Sequence, residues 1–594
     1  MVFRDIWDVE IVRLRLLFAV MLMAFLGLGS ALWRIQVAHG KSYQKDLMKQ
    51  SVRRVRLPGV RGCIFDRNGV RLADNRPSYC IAVYLEELRQ AGAWKRTITK
   101  IEKQIDELAA ALNIEKEISG DDIKAHIKKR LPLPLLAWRD VDESVVARLA
   151  EQVKVQPGVD VYVEPARIYP QGNLACHVLG YVGRADPPQD EEEPFHYYLP
   201  EMTGKSGIEK KYDGILRGEA GGRLMRVDVS GFRHDDLAVK EPRSGRDVFL
   251  ALDVKVQRLA EEAIRDQRGA VVVLDPSNGD VLAMASSPGF DPNEFMPVIS
   301  MERWKELVED EQRPLLNRTV AGAYAPGSTF KPVVILAALE NGSIDSRTSF
   351  TCPGHFMLGR ARFNCWYTPG HGTLNAREAL QHSCNVFLFR TALACGYEAI
   401  YHMAVALGLG RKTDVSLDYE LAGLVPDDAW KRRTYDDGWR DGDTCNLSIG
   451  QGALLVTPLQ MAVLAATIAN GGHVYRPRLV MALREPGEEQ LRSIPSQVVN
   501  EMNWSRATTD LVRGGMRDVV MTREGTGKLA AVPGVTMAGK TGTAEYGRKE
   551  EGKKLAWMIA FAPFDHPRYA VAIMIEDAVS GGSSAAPKVQ KLIR

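Results

Sequence analysis

Ser328 and Lys331 stand three residues apart in Tyr324-Ala325-Pro326-Gly327-Ser328-Thr329-Phe330-Lys331-Pro332, a loop that runs into the apolar stretch Val333 to Leu339 and stops at Asn341-Gly342. The pattern predicts a buried helix, with Pro332 near its start, where a missing N–H costs least, and a glycine just past its end. Side chains three apart in a first turn share a face. A serine hydroxyl is a weak nucleophile near neutral pH and needs a base, a role that a partly desolvated lysine can fill. Unpaired N–H groups at a helix start also favour negative charge that develops there. Taken alone the spacing means little, since Ser42 and Lys45 share it and read as a surface coincidence. Two later segments change the weight. Ser383-Cys384-Asn385 offers a second hydroxyl beside an amide, and Lys540-Thr541-Gly542-Thr543-Ala544-Glu545 offers a second amine on a hydroxyl-rich run. Together they suit acyl transfer through a serine ester.

A second cluster lies between the first two segments: Cys352, Cys365, His371 and Cys384. The spacing contains no C-x-x-C pair, but three thiols and an imidazole suit a structural zinc ion. A Cys352–Cys365 disulfide with His371 as a plain loop residue accounts for the same residues in an oxidising compartment. If Ser383 to Asn385 is extended, the Cys384 side chain points opposite to its neighbours. A metal bound there would brace the segment from behind. Cys63, Cys80, Cys176, Cys395 and Cys445 read as structural.

These groups need elements to hold them. At 594 residues the chain has room for several domains. Its 77 Lys and Arg against 74 Asp and Glu leave only +3, too little for a dedicated nucleic-acid binder. A mean hydropathy of -0.18 excludes a polytopic membrane protein. One membrane segment is nevertheless clear: Leu16 to Trp33 carries no charge, is bracketed by Arg13, Arg15 and Arg34, and can reach across a hydrocarbon core of about 30 Å. It ends in Leu32-Trp33-Arg34, a poor cleavage site, so an uncleaved anchor is expected rather than a signal peptide. Basic residues flank both ends, so charge does not orient it.

Beyond the anchor, Asn68-Gly69 between Ile64-Phe65 and Val70 predicts a hairpin in which both turn residues take positive φ. Ile98, Ile101, Ile105, Leu108 and Leu112 mark one helix face. Asp186 to Pro194 reads as a solvated loop. Near residue 245 the character changes: strands are expected at Val248 to Leu252, Ala270 to Asp275 and Val281 to Ala285, with a helix over Val254 to Ile264. Tyr169-Pro170 reads as a turn, His382 and His402 as helix surface, and Trp557 as core.

Taken in order, S-x-x-K, S-x-N and K-T-G make the chain resemble the class B penicillin-binding proteins. Arg61 to Gly69, Gly204 to Glu209, Ser448 to Gly452 with Thr457 to Gln460, and Gly581 to Pro587 extend the likeness over nearly the whole chain. The resemblance implies an α/β (α+β) transpeptidase domain of the penicillin-binding and serine β-lactamase kind, its antiparallel sheet flanked by helices. A single transmembrane helix and a mixed α+β pedestal would precede it. The expected limits are a cytoplasmic tail at 1–15, an anchor at 16–34, a pedestal at 35–245 and the transpeptidase domain at 246–594. The catalytic part would lie on the periplasmic side of the inner membrane.

By motif, Ser328 would be the nucleophile, Lys331 its base, Ser383 a proton shuttle and Asn385 a holder of the substrate amide. Lys540 and Thr541 would meet the terminal carboxylate. Gly542 would let the substrate backbone approach, and the N–H groups of Ser328 and Thr543 would form the oxyanion hole. The implied reaction is D,D-transpeptidation of peptidoglycan stem peptides, with β-lactams acylating the same serine and no cofactor in the chemistry. The stretch from Cys352 through Cys365-Trp366 and Gly370-His371-Gly372 to Cys384 is similar to elongation-type members, some of which hold zinc. Those members imply a role in cell elongation and shape, and a membrane glycosyltransferase of the RodA kind within the elongation complex as partner. A division-specific relative, a D,D-carboxypeptidase and a β-lactam sensor share the motifs. Leu555 departs from the histidine expected before Ala556-Trp557.

Overall fold

The computed structural model describes residues 2–41, 43, 52–130, 133–152, 158–185, 197–198, 201–227, 233–547 and 552–594. Ser42, Lys45 and the Asp186 to Pro194 loop lie outside the described residues. A helix spans Val2–Trp33 and continues through a wider turn at Arg34–Ala38. The residues ahead of Leu16 are therefore helical too, since no proline or glycine interrupts them. Among the described residues, Ile11–Ala38 is the one helix long and apolar enough to cross a membrane, and its side chains bury nothing against the rest of the protein.

The pedestal is built on two sheets. In one, Val52–Leu57 lies between Gly221–Val227 and Tyr197–Tyr198, with Arg233–Lys240 at the edge. In the other, Arg71–Val83 pairs with Ile64–Phe65, Leu135–Val141 and Val159–Ile168. The expected hairpin forms, but only Gly69 takes positive φ, at 82°. The Asp66 carboxylate accepts from the N–H groups of Asn68 and Val70, each at 2.8 Å, and so closes the turn without a left-handed asparagine. The helix Trp94–Leu112 buries Ile101, Ile105, Leu108 and Leu112 as one stripe against Ile81, Val83 and Trp138.

One buried cluster ties the pedestal together. Glu209, fully buried, accepts from Arg61 Nε at 2.6 Å, from Arg167 Nε at 2.7 Å and from the Tyr169 hydroxyl at 3.3 Å. Burial pushes its carboxyl up, but the charges of Arg167 and Arg61 outweigh that and leave it below the usual range. Tyr169 does sit at a turn, since Gly172 N–H donates to its carbonyl. Its side chain is as deeply buried as any in the pedestal.

Asp247–Leu250 joins the halves of the molecule. It pairs in parallel with Ile64–Phe65 and antiparallel with Val480–Arg484, so one sheet is shared between early and late sequence. The Phe65 and Phe249 rings stack at 4.8 Å under the Arg484 guanidinium. Beyond it stands a five-stranded antiparallel sheet in the order Val281–Ser287, Gly269–Leu274, Tyr569–Ile575, Lys554–Ala562 and Ala538–Glu545. Val254–Ile264 and Ala586–Ile593 pack against this sheet and each other, while Pro458–Ala469, buried at every position, packs against its middle strands. Thr457 and Gln460 cap that helix reciprocally. Trp557 is buried core, as expected. Leu555 pairs with Ala544 and is 1% exposed, so an apolar side chain suits its place.

Candidate active site

The serine segment forms a short 3-10 turn, Gly327–Phe330, that leads directly into the helix Lys331–Glu340. In a 3-10 turn side chains three apart eclipse one another, which aligns Ser328 with Lys331 more strictly than an α-helical turn would. Gly327 has φ 56°, donates its N–H to Gly450 O at 2.9 Å, and would bring a Cβ to 2.6 Å from Thr543 O. The Thr543 peptide therefore lies against the turn that carries Ser328. Trp557 Nε1 donates to Ala325 O at 3.0 Å and pins the approach to that turn from within the sheet.

Ala538–Glu545 is the outer strand of the sheet and carries Lys540 to Thr543. A Cβ on Gly542 would stand 2.7 Å from Pro326 O and 2.9 Å from Thr329 Cγ2. The face of Gly542 on which a side chain would stand is thus filled by the nucleophile turn, while the strand's outer edge pairs with no other strand among the described residues. Gly542 is glycine because the strand and that turn must touch.

Lys331 and Lys540 meet at Ser383. Lys331 Nζ donates to Ser383 O at 2.7 Å, to Ser383 Oγ at 3.2 Å and to Asn385 Oδ1 at 2.7 Å. Lys540 Nζ donates to Ser383 Oγ at 3.0 Å and to Thr541 O at 2.9 Å. Both lysines are fully buried, and neither is paired with a carboxylate among the described residues. Burial lowers Lys331 to about 8; burial, then the neighbouring charge of Lys331, takes Lys540 well below the ordinary lysine range. Two amines confined without an acid form a cationic pocket whose missing counter-charge an anionic substrate end would supply. Ser328 is half-buried one turn away, and its hydroxyl makes no hydrogen bond among the described residues.

The Ser383 segment is kinked rather than extended. Ser383 takes φ 53°, Cys384 caps the helix Asn385–Cys395, and Cys384 N–H donates back to Ala379 O. The division of sides still holds, through the kink: Ser383 and Asn385 face the lysines while Cys384 joins the thiol cluster. The ligand atoms of Cys352, Cys365, His371 and Cys384 all lie within 4.8 Å of one another. His371 Nδ1 is 3.6 Å from Cys352 Sγ and 3.5 Å from Cys365 Sγ. A tetrahedral zinc ion with bonds of about 2.0–2.3 Å sets its ligands about 3.5–3.8 Å apart, so the donor set fits. All eight cysteines are free. The contact between Cys365 and Cys384 lowers the first thiol and raises the second, so the two compete for one proton.

Sequence reasoning did not anticipate several supports. Trp366 Nε1 donates to His382 O at 3.0 Å, fixing the peptide just before the left-handed Ser383. Asn364 O accepts from Asn385 Nδ2 at 3.3 Å. Thr541 Oγ1 donates to Thr526 Oγ1 at 2.9 Å, and Gly581 N–H donates to Thr543 Oγ1 at 3.2 Å. Glycines on both sides of Thr526 were the only signal for that contact.

Two family descriptions match the chain: the penicillin-binding protein transpeptidase domain over residues 269–594 and the penicillin-binding protein dimerisation domain over residues 56–250. The peptidoglycan D,D-transpeptidase MrdA of Acinetobacter baumannii is 33% identical, the alignment covering 97% of this chain and 86% of the relative. The solved complex between PBP2 and MreC from Helicobacter pylori superposes with a TM-score of 0.76 at 29% identity, covering 91% of this chain and 98% of that one. A chain from a structure titled for the coordination of polymerization and crosslinking by a peptidoglycan synthase complex gives 0.72 at 31% identity, covering 98% and 97%. With both halves accounted for and likeness running along nearly its entire length, the chain belongs to the class B penicillin-binding proteins, in the PBP2 branch.

Proposed function

We propose that the protein is an elongation-type peptidoglycan D,D-transpeptidase, and that Ser383 Oγ, within 3.2 Å of Lys331 Nζ and 3.0 Å of Lys540 Nζ, is the observation that carries the reading. Ser328 Oγ attacks the carbonyl of a D-Ala-D-Ala bond as its proton passes to Lys331. The C–N bond breaks, the D-Ala amine leaves with a proton handed on through Ser383, and an ester to Ser328 remains. An amine of a neighbouring stem attacks the ester, gives its proton to Lys331, and Ser328 recovers it as the C–O bond breaks. N–H groups of Ser328 and Thr543 hold the oxyanion, where one such donor typically contributes about 3–4 kcal/mol. Asn385 orients the substrate amide, and Lys540 with Thr541 takes the carboxylate that balances the buried amines. Gly542 contributes through the close contact between strand and nucleophile turn.

The helix at Ile11–Ala38 supports a single-pass anchor at 16–34 after a tail at 1–15, and the family matches support a pedestal at 35–245 and a transpeptidase domain at 246–594; work on peptidoglycan requires that domain to lie in the periplasm, beyond an inner-membrane anchor. As partner we propose a RodA-type membrane glycosyltransferase, supported by the likeness to a chain solved within a peptidoglycan synthase complex. The detergent-solubilised full chain, given a stem pentapeptide ending in D-Ala-D-Ala and a fluorescent D-amino acid, should release D-Ala and incorporate the label. Release of D-Ala into water with no incorporation would make it a carboxypeptidase. Absence of both would remove the enzymatic reading.

Cys352, Cys365, His371 and Cys384 would hold a structural zinc ion, which supplies rigidity to the Ser383 segment and takes no part in the chemistry. Metal analysis of the purified protein should find one zinc per chain, lost in Cys352→Ser. No zinc, together with a Cys352–Cys365 bridge in the mass spectrum, would reject it.

A further inference from the structure

Against the sheet of Arg71–Val83, Leu135–Val141 and Val159–Ile168, and reaching Pro58 and Gly59 just after Val52–Leu57, lies a cavity of about 100 Å³ to which Arg61, Arg76, Arg139, Arg167, Arg184 and Arg217 all contribute. Three carboxylates, Asp140, Glu164 and Glu201, line it as well, and each is already committed: Asp140 to Arg76 at 2.6 Å, Glu164 to Arg139 at 3.0 Å, and Glu201 to Arg56 and Arg217. Glu209 and Asp213 stand behind Arg61 and are committed to it. Among the described residues, Arg167 shares Glu209 with Arg61 and has no carboxylate to itself.

The decisive group is Arg167. It is 3% exposed, yet only two of its three nitrogens are engaged: Nε with Glu209 at 2.7 Å, and Nη1 with Gly62 O at 2.8 Å and Asn75 Oδ1 at 3.4 Å. Nη2 is buried and has no hydrogen-bond partner among the described residues. A buried charged donor left unmade is costly, so a group that accepts from it has a strong hold. Arg139, about a fifth exposed, donates to Glu164 through Nη1 and keeps further donors on the same cavity wall. Planar guanidinium forks fit the oxygen pairs of carboxylate and phosphate, and a lysine in the same place would not.

We propose that this cavity is an oxyanion-binding site, built to take one phosphate or carboxylate group against the pedestal sheet that carries Arg76, Arg139 and Arg167. It shares no residue with the serine–lysine centre. Occupancy would add a shared counter-ion between Arg167 on one sheet and Arg217 beside the other, and so would hold the sheets in register. Met296 and Pro297 of the later half also line the cavity, which puts the bound group at the seam between pedestal and catalytic domain.

Isothermal titration calorimetry on the detergent-solubilised full chain, at fixed ionic strength, tests it with inorganic phosphate and, separately, glutarate. At least one anion should bind saturably at one per chain, and Arg167→Lys and Arg139→Gln should each weaken it about tenfold or more, while fluorescent penicillin labelling stays unchanged. Phosphate alone would point to a phosphate-bearing ligand, glutarate alone to a carboxylate-bearing one, and both to oxyanions in general. If neither anion binds saturably, Nη2 is served by water and the proposal fails. It fails equally if both variants bind as the wild type does. Should Arg167→Lys not fold, Arg139→Gln on the cavity wall decides alone.

Discussion

Ser328→Ala is expected to take up no fluorescent penicillin at any concentration that saturates the wild type, and to incorporate no D-amino acid. The adduct is an ester to Ser328, and the other hydroxyl in the pocket, Ser383 Oγ, is held by both lysine amines as a proton relay. Lys331 and Lys540 are amines at the back of the site, both buried and both hydrogen-bonded to Ser383. Stability should hardly move. The Ser328 hydroxyl makes no hydrogen bond among the described residues, and such substitutions usually stay within about 0.5 kcal/mol. Thermal unfolding beside gel labelling separates the two effects. A labelled Ser328→Ala protein would place the nucleophile elsewhere and overturn the mechanism.

Lys331→Met should slow acylation by about 10²–10⁴-fold, the usual contribution of a positioned base. The base is the neutral amine, so the sign follows from protonation. At pH 7 an ordinary lysine is neutral for only about 0.04% of the time, whereas one lowered to about 8 is neutral for about 10%. The net shift, in which burial outweighs the raising effect of Cys384 and Cys365, therefore increases the working fraction about 250-fold. The wild-type acylation rate should climb with pH up to about 8 and level off above it, and Lys331→Met should lose that rise. Stopped-flow acylation from pH 6 to 10 measures this. A wild-type rate independent of pH below 8 would remove Lys331 as the base.

Much of the site was legible before any coordinates. Lys331, Ser383, Asn385 and Lys540 are drawn into one place with Ser328 in the turn just before Lys331, and the strands and helix near residue 250 form close to where alternation and periodicity put them. Polar groups of this kind are costly to bury, so their presence inside apolar runs marks function. The reasons for individual residues were harder to read. Gly542 suggested a substrate backbone approaching the strand edge; it also lets Pro326 and Thr329 of the nucleophile turn pack against the strand. Cys384 was expected to face away because an extended strand alternates; it does so because Ser383 is left-handed and a helix begins behind it. Glu209 stood in a segment recognised by likeness only, and its two arginine partners come from distant positions.

Sequence by itself determined the chemistry on offer: which hydroxyls, amines and thiols exist, which helix carries the nucleophile, and that one apolar helix leads the chain. Local pattern is enough for that, because a helix start or a strand is set by neighbours a few residues away. Only the tertiary structure decided that Ser383 Oγ stands between two buried amines, that four ligand atoms converge within 4.8 Å, and that Arg167 keeps an unmade donor inside a cavity of arginines. Each of these depends on contacts between segments far apart along the chain, where burial sets the energy of a charge and no local pattern records it.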